Sequence, residues 1–181
     1  PKGVGAIYIR SGIRLEPIIT GGGQEKNRRS GTENIAGIVG LGEAARLRME
    51  NMKSEAQRLR QMQQRLIKGV LETIPKSYLT GHPEQRLPGT TSFRFDAIEG
   101  ESMALLLDLN GICAATGSAC STASLDPSHV LLALGLRHEQ CHGSLRLSLG
   151  HQNSMEDVEY ILDRLPAVVA RLREMSPVWE G

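Results

Sequence analysis

The sequence predicts a mixed fold, α/β passing into α+β, in which a long connecting helix leads to a small α+β domain. Three observations carry this. Segments of strand character, near residues 4–10, 91–95 and 144–149, are separated by stretches of helical periodicity. Leu59, Met62, Leu66, Val70 and Ile74 recur at three- and four-residue steps and mark one long helix that Pro75 ends. A polar, charged stretch near residues 50–56 lies inside that helix. It marks the passage from one lobe to another.

The elements follow in order. Val4, Ile7, Tyr8 and Ile9 predict a buried strand over 4–10. The chain opens on Pro1, and so abrupt a start predicts that further residues precede it. Gly21-Gly22-Gly23 predicts a loop. Ser30 with Glu33 matches a capping box, so a helix is expected from about Asn34, with Ile35, Ile38, Val39, Gly42 and Ala45 facing inward. Beyond Pro75 the elements shorten. Strands are expected at 77–79, 91–95 and 112–114, and a helix over 102–109 that stops at Asn110-Gly111. Asp126 as N-cap with Pro127 in the first turn predicts a helix closed by Gly135. Ser144 to Leu149 alternates as a strand. Ser154 with Asp157 opens a last helix with Val158, Ile161, Leu162, Leu165, Val169 and Leu172 on its apolar face, bent at Pro166.

Bulk composition narrows the function. The 181 residues carry 21 basic and 20 acidic side chains, a net charge of +1. That balance gives no footprint for nucleic acid or a membrane surface. No apolar run approaches the roughly 20 residues that span a bilayer. Aromatic residues make up only 3%, so the core must rest on Leu, Ile, Val, Met and Ala. The three cysteines are odd in number and lack C-x-x-C spacing, which argues against a disulfide scaffold or a structural zinc site. A reducing, cytoplasmic setting is the expectation.

Three positions stand out chemically. Cys120 lies in Ala115-Thr116-Gly117-Ser118-Ala119-Cys120-Ser121-Thr122-Ala123-Ser124, among small and polar neighbours. A packing cysteine usually keeps apolar company, so this thiol reads either as a reachable nucleophile or as an incidental surface cysteine. A phosphate-cradling cysteine loop is disfavoured, because Asp126 stands where such a loop carries arginine. Ser30-Gly31-Thr32, with Arg28 and Arg29 beside it, reads either as ordinary capping or as a phosphate site at a helix start. Arg146, between Leu145 and Leu147, either grips a carboxylate or faces solvent on the wet side of a strand. The histidines at 82, 129, 138, 142 and 151 are read as showing no ligand spacing such as H-E-x-x-H and are assigned solvated or capping roles, and Cys113 and Cys141 packing roles.

Taken together, several segments resemble the cysteine desulfurases, specifically the NifS-like group I class. They are Pro1-Lys2-Gly3-Val4-Gly5, Gly21-Gly22-Gly23-Gln24-Glu25, Arg29-Ser30-Gly31-Thr32-Glu33-Asn34, Gly117-Ser118-Ala119-Cys120, Pro127-Ser128-His129-Val130-Leu131, Leu145-Arg146-Leu147-Ser148-Leu149-Gly150 and Ser176-Pro177-Val178-Trp179-Glu180. The resemblance implies the C-terminal part of an aminotransferase-like, fold type I, pyridoxal phosphate enzyme, with residues 1–52 as the tail of its large cofactor-binding domain and residues 53–181 as a small α+β domain carrying the cysteine loop. It implies conversion of L-cysteine to L-alanine, with the sulfur held as a persulfide on Cys120 for iron–sulfur cluster or other sulfur-cofactor assembly. By the same resemblance Thr32 reaches the cofactor phosphate across a homodimer interface, and Arg146 holds the substrate carboxylate. A scaffold or other sulfur-acceptor protein is the implied partner. The family's Schiff-base lysine is expected upstream of Pro1, since Lys2, Lys26, Lys53, Lys68 and Lys76 lack its context. The chain alone is therefore expected to be inactive. Two alternatives stand beside this: a non-catalytic sulfur-accepting module, and a selenocysteine lyase-type relative.

Overall fold

The computed structural model describes residues 1–116 and 127–179. The chain divides into two compact units, Pro1–Lys53 and Ser54–Gly181.

In the first unit, residues 4–10 carry no regular secondary structure, and Ile7 and Tyr8 are exposed. The buried strand expected there does not form. Among the described residues no neighbouring strand takes its backbone hydrogen bonds, and a lone strand has neither a ladder nor a covered face. The triple glycine leads to a single turn, α1 (Gln24–Asn27), in which Glu25, Lys26 and Asn27 have positive φ. The Ser30–Glu33 capping box is also corrected. Ser30 is buried, and its hydroxyl donates to the Gly22 carbonyl at 2.9 Å. The cap is Asn34, whose Oδ1 accepts the Gly37 N–H at 3.0 Å.

Helix α2 (Ile35–Thr73) starts in the first unit and ends in the second. Good helix formers fill it, no proline interrupts it, and the restricted backbone before Pro75 accounts for its end. Ile35, Ile38, Val39, Gly42 and Ala45 are exposed, not inward-facing, because nothing among the described residues of the first unit covers them.

The second unit holds the core. Strands β1 (Ser77–Leu79), β2 (Thr90–Phe95) and β3 (Ser144–Ser148) form an antiparallel sheet in that order. Alternation turns Thr91, Phe93 and Phe95 of β2 and Leu145 and Leu147 of β3 to the buried face. Met62, Leu66 and Val70 of α2, Met103 and Leu107 of α3 (Gly100–Asp108), and Val158, Ile161, Leu165 and Val169 of α6 (Met155–Glu174) complete one core cluster. Each such aliphatic side chain, fully buried, contributes about 1.5–3 kcal/mol. At the start of α6, Asp157 Oδ2 accepts the Ser154 N–H at 3.0 Å, and the helix runs on through Pro166.

Two short helices follow the cysteine segment, α4 (His129–Ala133) and α5 (His138–His142). Helix α4 starts two residues later than expected, with Pro127 and Ser128 ahead of it, while Asp126 lies outside the described residues. Helix α5 was not expected, because five residues carry no apolar stripe. Residues 112–114 form no strand; the pairing there is a single bridge between Ala115 and Arg146. Cys141 is buried as expected, whereas Cys113 is exposed. Its neighbour Ile112 takes the buried position, which leaves the thiol to face outward. After α6 the chain returns over the domain, and the Trp179 ring is flanked by the Arg173 guanidinium at 4.1 Å and the Lys76 ammonium at 5.1 Å.

Candidate active site

Arg146 sits in the middle of β3 on the open face of the sheet. Register pairs it with Ser92 on β2. On its other side its N–H donates to the Ala115 carbonyl at 2.7 Å, and its carbonyl accepts the Ala115 N–H at 3.0 Å. The backbone is thus clamped from both edges, which fixes the direction in which the side chain leaves the sheet. Flanking contacts reinforce this. At Gly143 a Cβ would stand 2.2 Å from the Phe95 carbonyl, so only glycine allows β3 to start this close to β2. Beyond β3, Arg58 donates to the carbonyls of Gly150 (3.1 Å) and Asn153, which pins the following turn to α2.

Two arginines share this open face and differ in their partners. Arg94 lies 3.7 Å over the Tyr78 ring and is paired with Asp96. Arg146 is exposed, and among the described residues its guanidinium has no ion-pair or hydrogen-bond partner. An arginine fixed at its backbone and open at its head is suited to grip a carboxylate through two parallel hydrogen bonds.

Thr32 belongs to the first unit, and Arg146 to the second. Thr32 is exposed and follows Gly31, whose φ of +103° is open to glycine at little cost. The Gly31 N–H is taken by Gln24 Oε1 at 3.2 Å, and the Arg29 guanidinium is bonded to the Ser30 carbonyl. The Thr32 hydroxyl has no hydrogen-bond partner among the described residues, and Arg28 nearby in the chain is exposed. This donor set, a free hydroxyl with cationic neighbours before a helix start, fits a phosphate group. Cys120 lies outside the described residues.

The other thiols are accounted for. Burial pushes the Cys141 thiol up from its ordinary pKa, so it stays protonated and inert. The expectation that the histidines lack ligand spacing is overturned. His138-Glu139-Gln140-Cys141-His142 has H-E-x-x-H spacing, a signal present in the sequence, and α5 brings the two imidazoles together, tilted by 55° with ring centroids 5.0 Å apart.

The model of the aminotransferase class-V family matches residues 1–161. The chain is 54% identical over 182 aligned positions to the cysteine desulfurase IscS of Clostridium botulinum, covering 99% of this chain and 46% of that protein. It is 56% identical to cysteine desulfurase IscS 1 of Archaeoglobus fulgidus, covering 99% and 47%. Among solved structures, a NifS-like protein superposes with a TM-score of 0.79 at 32% identity, over 91% of this chain and 42% of that one. The chain thus spans about half the length of the curated relatives it matches. A family match over most of the sequence, with a NifS-like fold to accompany it, places this chain in the aminotransferase class-V family.

Proposed function

We propose that this chain is the C-terminal half of a pyridoxal phosphate-dependent cysteine desulfurase of the NifS-like group I class. Residues 1–52 would close the large cofactor-binding domain, and residues 53–181 would form the small domain. L-cysteine is the substrate and L-alanine the product. Arg146 holds the substrate carboxylate. The Cys120 thiolate attacks the substrate sulfur, an S–S bond forms, and the C–S bond breaks with its electron pair left on the substrate carbon. That carbon takes a proton to give alanine, and Cys120 keeps the extra sulfur as a persulfide. When bound, pyridoxal phosphate supplies the electron sink for that pair. Thr32 donates to its phosphate across a homodimer interface, and the Schiff-base lysine lies in sequence preceding Pro1. The persulfide is handed to an iron–sulfur scaffold or another sulfur acceptor in the cytoplasm.

One observation favours this reading over a non-catalytic module. Arg146, whose guanidinium has no partner among the described residues, is hydrogen-bonded, backbone to backbone, to Ala115, and in the sequence Cys120 follows Ala115 closely. A carboxylate grip and the base of the thiol's tether therefore share one bridge, as expected if both act on one small amino acid. The test is alanine release from L-cysteine by the full-length protein. Cys120→Ser is expected to abolish release and persulfide formation while the cofactor's absorbance persists; full turnover in that variant removes Cys120 from the reaction.

A further inference from the structure

We propose that His138 and His142 form a binding site for an exchangeable divalent d-block cation, such as Zn²⁺ or Ni²⁺, on the outer face of α5. His138 Nδ1 and His142 Nε2 converge at 3.3 Å. Metal–imidazole bonds are about 2.05 Å long, so two nitrogens at this separation subtend about 107° at a shared ion, close to the tetrahedral angle. Both rings are exposed, so little desolvation opposes an incoming ion. One ring now donates an N–H to the other. A tautomer with that proton on the ring's outer nitrogen presents one lone pair from each ring to the ion.

The surroundings define what kind of site this is. Cys141, one residue before His142, is buried in the domain while both imidazoles are exposed, so it does not share their surface. Glu139 is paired with Arg137 at 3.1 Å, so its carboxylate is engaged away from the pair. No group of three or more metal-ligating side chains occurs among the described residues. Water would complete the coordination shell. The H-E-x-x-H spacing therefore gives a two-point chelate and not a hydrolytic zinc centre, which needs a third protein ligand and a free glutamate.

The experiment is calorimetric titration of full-length protein with Ni²⁺ in a weakly coordinating buffer. It is done in a Cys120→Ser background, so that the active-site thiol does not report. His138→Asn and His142→Asn are each expected to weaken binding at least tenfold, and the double variant no further than either single one. His129→Asn, on α4, is expected to leave binding unchanged. Losses of only twofold in each single variant would mean independent imidazoles and would overturn the chelate. So would parent-like binding in the variants, or no binding by any form. Unchanged Trp179 fluorescence across the variants checks that the fold is kept.

Discussion

The two ends of helix α2 are built from similar apolar periodicity and have opposite fates. Met62, Leu66 and Val70 are buried against a sheet and two helices. Ile35 and Val39 are each 65% exposed. The lesson is that a helical stripe reports a capacity for burial, while burial itself depends on what lies opposite. The small domain carries its own opposing surface. The first unit, in a chain that spans about half the length of its relatives, displays a stripe with nothing described across from it.

The sharpest way to break this comparison is a pair of truncations. Leu66→Ala in the core is expected to cost about 2–5 kcal/mol, read as a shift in a urea unfolding midpoint. Ile38→Ala in residues 1–181 is expected to change stability by no more than about 0.5 kcal/mol. In a protein of the relatives' full length it should approach the Leu66 value. Equal small effects of Ile38→Ala in both contexts would show that the stripe is solvent-facing by design.

A middle-sized effect concerns helix starts. Asn34→Ala removes the acceptor of the Gly37 N–H and should cost about 1 kcal/mol, with fraying of the first turn of α2 seen by amide hydrogen exchange. Glu33→Ala should do far less, since Glu33 does not serve the cap the sequence suggested.

The smallest effect lies at the other helix start. Hydrogen bonds from the Ser154 N–H and the Asn153 side chain hold the Asp157 carboxyl below its ordinary pKa. A depressed carboxylate adds stability that is fully present above its unfolded value of about 3.9 and is lost as pH falls through the lower folded value. Asp157→Asn should therefore flatten the acid limb of the stability profile slightly, and leave its shape above pH 6 unchanged.

Much of the second unit could be read in advance, because its local signals agree with its packing. The alternation around Leu145 and Leu147, the three-and-four spacing from Met62 to Val70 and the Ser154–Asp157 start each describe a residue's own neighbours in the chain. The errors fall where the answer lies outside the segment. The hydroxyl of Ser30 is taken by the glycine turn, which the spacing to Glu33 cannot reveal. The strand expected at 4–10 needs a partner that its own residues do not supply. Cys113 resembles a packing cysteine by its neighbours, yet Ile112 fills the inward position. For the candidate site, the arginine-bearing strand was readable, but not the bridge to Ala115, which arises from pairing across distant sequence. The histidine pair is fully local, since His138 and His142 stand one helical turn apart in the sequence, so nothing beyond the segment hides it.

Trp179 is the sole tryptophan of these 181 residues, and its ring lies close to two cations, Arg173 and Lys76. Its emission is therefore a built-in optical gauge. Any event that draws the ring away from Arg173 and Lys76 would change the indole's electrostatic surroundings and shift its colour, so movement of this segment can be followed with no added dye.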